Sequence, residues 1–161
     1  MAELTLPMEG GCRCGSVRFR VSKPPMLTMA CHCTGCQKMS ASAYSLSIAV
    51  PSNGFEVIAG EPVIGGLHGD QVRHHHCDQC KSWMFTRIEP DPGFLNVRPT
   101  MLDDSSWFIP FIETYRSEAL PWATTPAQHR FDRFPEMADY PKLLAEFATR
   151  NGEATTMTPA P

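Results

Sequence analysis

Seven cysteines fall in three tight groups along this chain: Cys12-x-Cys14, then Cys31-x-Cys33 continuing as Cys33-x-x-Cys36, then Cys77-x-x-Cys80. No cysteine stands outside these groups. Thiols at such gaps suit a soft divalent metal, because tetrahedral zinc takes thiolate ligands readily. The competing reading is a set of structural disulfides. It fares worse, since a Cys-x-Cys ring is too small for relaxed disulfide geometry and seven thiols cannot all pair. The opening residues MAELTLPMEG also lack the basic start and apolar run of a secretory leader. A cytoplasmic protein is therefore expected, with reduced thiols available to metal.

The 161 residues fit one domain, 1–161, with 1–9 and about 153–161 expected to be flexible. A net charge of −3 argues against nucleic acid and anionic membrane as partners, and no stretch has the length of a membrane span. Two zinc sites of four and three thiolates would take that charge to about −6. Fifteen prolines and eleven glycines punctuate the chain often, which predicts short strands and loops rather than a helical bundle.

Val17, Phe19 and Val21 alternate with polar residues, the period of a half-buried strand. Further strands are expected around Leu27–Ala30, Tyr44–Ile48, Phe55–Ile58, Trp83–Phe85 and Phe94–Val97. Cys12 and Cys14 would share one face of an extended segment, as would Cys31 and Cys33. Thr34-Gly35 would then turn Cys36 back toward them, with a polar run over Gln37–Ser42. One helix is predicted near 141–150: Pro141 suits its first turn, Leu143, Leu144 and Phe147 share a face, and Gly152 suits its stop. Trp122 is expected to pack in the core.

His74, His75 and His76 precede the last cysteine pair, but consecutive strand residues alternate faces, so flanking positions fit them better than ligation. His32 lies between two thiols and would point away from them. Two ligand groupings follow from spacing. One joins Cys33 and Cys36 to Cys77 and Cys80, as in a zinc ribbon, and strands the other three. The second joins Cys12 and Cys14 to Cys77 and Cys80 and leaves Cys31, Cys33 and Cys36 for another metal. It uses every thiol and would tie the first strand to a distant one. Four protein ligands make a structural site, and three leave a position open.

The run GGCRCGSVRFRV, then CHCTGCQKMSAS, then HCDQC, with MLDDSSW and YRSEALPW beyond, resembles the glutathione-dependent formaldehyde-activating enzyme family, which includes the centromere protein V-like proteins. The resemblance covers about residues 10–135. It implies a β-tent of small antiparallel sheets with a short C-terminal helix. It also implies a structural zinc on Cys12, Cys14, Cys77 and Cys80, and a second zinc tied to activity on Cys31, Cys33 and Cys36. The chain departs from the family at three places: Lys81 stands where glycine is usual, the glycine usual near Ala41 is missing, and three histidines precede Cys77 where arginine and phenylalanine are common.

Three functions compete. The resemblance implies a carbon–sulfur lyase that joins a small thiol, glutathione or one like it, to an aldehyde such as formaldehyde. In that reading Cys31, Cys33 and Cys36 are catalytic, and the zinc they hold is the more easily lost of the two. His32 and the polar residues around Ser40 and Ser42 are candidates for orienting substrate rather than for catalysis. A non-catalytic zinc module on the same scaffold, binding a thiol or a protein, is the alternative. A zinc hydrolase is disfavoured, because three thiolates weaken zinc as an acid toward water and no His-Glu-x-x-His pattern occurs.

Overall fold

The computed structural model describes residues 4–67 and 69–156, the last six as backbone alone. In chain order the strands are β1 (Met8–Gly11), β2 (Arg18–Val21), β3 (Leu27–Cys31), β4 (Ser45–Pro51), β5 (Phe55–Ala59), β6 (Pro62–Gly65), β7 (Val72–Cys77), β8 (Trp83–Ile88), β9 (Phe94–Val97), β10 (Ile112–Thr114) and β11 (His129–Arg130). Two α-helices, α1 (Thr34–Ser40) and α2 (Tyr140–Thr156), and three single-turn 3-10 helices at Ser52–Gly54, Pro99–Met101 and Arg116–Glu118 complete the described elements. The fold is mainly β, as the alternation and the punctuation predict.

The strands form two sheets. A small one has the order β1-β2-β5, and a large one the order β11-β10-β3-β4-β9-β8-β7-β6. Pairing is antiparallel except at one edge, where β10 runs parallel to both β3 and β11. Alternation explains the small sheet. Phe19 and Val21 of β2 are buried, while Arg18 and Arg20 between them reach Asp103 and Glu9. Phe19, Phe55 and Phe85 pack in series as tilted rings with centroids 5.5 and 4.7 Å apart, carrying one core from the small sheet to the large. A second core lies under α2, where Leu143 and Phe147 meet Leu27, Ala49, Phe111 and Ile112.

Four expectations change. The ordered chain is expected to open at Gly10, but Met8 is already in β1, because its side chain is buried opposite Val21. Gly152 does not stop α2, which runs to Thr156; one glycine costs a helix only about 1 kcal/mol, and Glu153 and Ala154 favour continuing it. The rest of the expected tail, 157–161, lies outside the described residues. The polar run after Cys33 is the helix α1, which buries no residue and so shows no apolar period. Trp122 is 73% exposed and not a core residue.

Candidate functional site

The structure gathers the seven thiols into two groups. Cys12, Cys14, Cys77 and Cys80 form one and Cys31, Cys33 and Cys36 the other, with the sulfur atoms of each group all within 4.8 Å of one another. The zinc-ribbon grouping does not occur. None of the seven is in a disulfide.

Two knuckles build the four-thiol group. The first follows β1 as a turn rather than the extended segment expected. The Cys12 carbonyl accepts from the Gly15 amide at 3.0 Å, Gly15 takes φ +79°, and the Val17 amide donates to Cys12 Sγ at 3.3 Å. The second lies between β7 and β8. There the Cys77 carbonyl accepts from the Lys81 amide at 3.0 Å, and Lys81 takes φ 59°. Each knuckle thus closes on a residue in the left-handed region. Side chains join them: Ser16 Oγ donates to Gln79 Oε1 at 2.8 Å, and the Arg13 amide donates to Ser82 Oγ at 3.2 Å. The group therefore ties the small sheet to the large one.

The three-thiol group sits where β3 gives way to α1. Cys31 ends the strand. Cys33 is the helix N-cap, with its Sγ accepting from the Cys36 amide at 3.3 Å. Gln37 holds the turn by donating from Nε2 to the carbonyls of His32 and Glu118. His32 points away from the thiols, as extended backbone requires. It is fully buried, with Nε2 3.1 Å from Glu113 Oε1. Glu113, also fully buried, pairs with Arg130 at 3.1 Å and Arg116 at 3.6 Å and accepts from the Thr125 amide at 3.2 Å. Burial raises the Glu113 pKa, but hydrogen bonds from Thr125 and His32 and the charge of Arg116 outweigh it and hold the carboxyl below its ordinary value.

Crowding sets the protonation of the thiols. The hydrogen bond from the Cys36 thiol draws Cys31 down to about 5, against burial; the same bond pushes Cys36 well up, with burial and the Cys31 charge adding to the rise. Cys33 is raised, chiefly by burial. Two buried hydroxyls favour the thiolate forms, Thr114 beside Cys31 and Ser45 beside Cys36, and neither bonds elsewhere. In the four-thiol group the Ser82 hydroxyl and amide draw Cys80 down to about 5. Three or four sulfurs this close cannot all ionise without a cation among them. Both donor sets fit zinc, whose thiolate bonds are about 2.3 Å long.

The surroundings differ. Cys31, Cys33 and Cys36 line a cavity of about 660 Å³, and the other four thiols do not. Its floor is one face of the large sheet, read across five strands as Met29, Ser47, Asn96, Thr86 and His74. A second cavity of about 430 Å³, lined by Ser40, Ser42, Tyr44, Lys81 and Thr100, adjoins it. Met39, Ser45, Trp83 and Arg98 line both. Ser40 and Ser42 thus reach the adjoining cavity but not the thiols' own. Two hydroxyls nearer the thiols, Ser45 and Thr114, carry no sequence signal beyond strand phase.

The three histidines of β7 belong to neither thiol group. His74 Nδ1 is 3.0 Å from Thr86 Oγ1, His75 stacks on Phe85 at 4.5 Å, and His76 lies over Trp83. Sequence reasoning misses Arg98, Trp83 and Glu113 as site or supporting residues. The usable signal for Arg98 is period two: Leu95 and Val97 face the core, so Asn96 and Arg98 take the opposite face.

No helix among the described residues is long and apolar enough to cross a membrane. Residues 7–118 match the family described as "Glutathione-dependent formaldehyde-activating enzyme". A protein of Halomonas elongata provisionally named as such an enzyme is 33% identical over 94 residues, covering 52% of this chain and 59% of that one. One of Penicillium rubens with the same provisional name is 25% identical over 123 residues, covering 73% and 64%. The chain thus spans about three fifths of the length of both relatives (59% and 64%). A crystal structure of a Rhodobacter sphaeroides protein aligns with 60% of this chain and 88% of its own, at 18% identity and a TM-score of 0.49. With the match covering more than half its length, the chain belongs to the glutathione-dependent formaldehyde-activating enzyme family.

Proposed function

We propose that this protein is a cytoplasmic, single-domain zinc enzyme that joins a small thiol such as glutathione to an aldehyde such as formaldehyde. The activity is that of an S-(hydroxymethyl)glutathione synthase, a carbon–sulfur lyase. One observation carries the reading: the three-thiol group opens into a cavity, and the four-thiol group, on its turns between the sheets, does not line it. Cys12, Cys14, Cys77 and Cys80 would hold a structural zinc. Cys31, Cys33 and Cys36 would hold a second zinc with a position to spare. When bound there, zinc would supply the acidity that makes a substrate thiol nucleophilic at neutral pH.

The chain's own part is placement. The Cys36 amide fixes Cys33 Sγ, and the hydroxyls of Ser45 and Thr114 border Cys36 and Cys31, so the sulfurs are held before metal or substrate arrives. Met29, Met39 and Trp83 give the cavity an apolar wall beside the reacting sulfur. In the reaction a carbon–sulfur bond forms at the carbonyl carbon and the thiol proton ends on the carbonyl oxygen, so nothing is oxidised and nothing leaves.

The test is glutathione-dependent formaldehyde consumption by zinc-supplied protein, comparing the parent with Cys33→Ala. Activity in the parent and its loss in the variant is the expected result. Equal rates, or no thiol binding with both metals present by analysis, would instead favour a non-catalytic zinc module.

A further inference from the structure

Arg98 is the anomaly of the cleft. It is 8% exposed, lines both cavities, and its Nε is buried without a partner. Six other arginines pair with carboxylates: Arg18, Arg20, Arg73, Arg116, Arg130 and Arg133. Arg98 has neither an ion pair nor a side-chain hydrogen bond among the described residues. Its guanidinium instead lies 3.9 Å above the ring of Trp83, whose Nε1–H donates to Thr86 Oγ1 at 3.1 Å. Burial draws its pKa down to about 10, so it stays protonated at neutral pH.

A buried guanidinium without hydrogen-bond partners is costly, and a chain that keeps one usually has a use for it. The charge around it points the same way. Lys38 lines one cavity and Lys81 the other, and among the residues that line either there is no aspartate or glutamate. Lys81 is already paired with Asp78 at 2.9 Å, which leaves Arg98 as the buried charge facing the site. A protein of net charge −3 has thus kept this cleft cationic.

We propose that Arg98 reads a carboxylate: the ligand of this site is a thiol that is also an acid, with its sulfur at the Cys31, Cys33 and Cys36 end and its carboxylate on the Arg98 guanidinium. The proposal rests on the thiol-binding reading above. The planar fork matches a carboxylate with two parallel hydrogen bonds, and the Trp83 face fixes its tilt. Arg98 is then a specificity residue, not a member of the thiol group. The competing role is plain countercharge to the thiolates of Cys31 and Cys36, which would leave it indifferent to whether the ligand carries an acid.

Zinc-loaded protein, its metal content measured, is titrated calorimetrically with 3-mercaptopropionate and with its neutral amide. The expected result is at least tenfold tighter binding of the acid, on the scale of one charge-assisted pair. In R98M that preference should vanish. R98K keeps the charge but loses the fork, so its preference should be smaller than the parent's; it carries the test should R98M not fold. Equal affinities in the parent overturn the proposal. So does an equal fall for acid and amide in R98M, the signature of countercharge, and so does a preference unchanged in the variants. If neither thiol binds the loaded parent, the thiol-binding reading fails together with it, whereas binding blind to the carboxylate overturns the role of Arg98 alone.

Discussion

The two thiol groups use one chemistry in two settings. The four-thiol group hangs on turns that bridge separate sheets, and short side-chain bonds such as Ser16 to Gln79 are its other local support. The three-thiol group is seated on the framework itself, at the end of β3, with Thr114 of β10 opposite Cys31 and the buried Glu113 beside Ala30. The lesson is one of direction. At the first group the metal is expected to hold the fold, and at the second the fold is expected to hold the metal.

Matched variants give the largest effect. Cys12→Ser should remove the cooperative melt or lower it drastically, because binding free energies of about 10–16 kcal/mol at structural zinc sites are folding free energy. Cys33→Ala should cost only about 1 kcal/mol, the worth of a helix N-cap. Thermal melts with zinc analysis check both. Similar melting temperatures for the two variants would dissolve the comparison.

The thiol groups were legible because spacing alone constrains ligands, and the strands because burial on one face writes a period of two. The rest depended on contacts that leave no local trace. Helix α1 buries no residue and is held by the Cys33 cap and by Gln37. Glu113 sits in a segment that reads as mixed, yet it is fully buried, because Arg130, Arg116 and His32 converge on it from elsewhere in the chain. Trp122 misleads in the other sense, since a large ring in a rigid turn looks like core and is mostly exposed.

The second effect concerns that buried carboxylate. Glu113→Gln leaves Arg116 and Arg130 without their charge partner, a loss of 3–5 kcal/mol where the partners stay buried. Arg130 is 57% exposed and can take up water, so about 2 kcal/mol is the better expectation. The sign with pH follows from the depressed pKa. The contribution of Glu113 is full above the unfolded value of about 4.3 and is lost as pH falls through the lower folded value. The parent's advantage over Glu113→Gln should therefore hold from pH 7 to 5 and shrink below pH 4. A gap that stays constant down to pH 3 would show that the charge is not what stabilises.

The smallest effect lies just after each thiol group. Lys81 takes φ 59° four residues after Cys77, and Ala41 takes φ 48° as the C-cap of α1, five residues after Cys36. Both residues take the left-handed backbone that glycine adopts freely. A non-glycine residue there costs about 1–2 kcal/mol, while glycine gives back about 0.5–1 kcal/mol through the freedom of its unfolded chain. Ala41→Gly should thus raise stability by about 0.5–1 kcal/mol. Lys81→Gly also gives up the exposed pair with Asp78, worth about 0–1 kcal/mol, so it should gain less or nothing. Lys81→Ala separates the two terms: it keeps the strain and loses the pair, so it should melt below both the parent and Lys81→Gly. Denaturant unfolding of zinc-loaded protein resolves differences of this size. If Ala41→Gly destabilises, the strain at the helix end is already relieved by the Gln37 carbonyl that accepts from the Ala41 amide, and the left-handed residues are no weak point of either group.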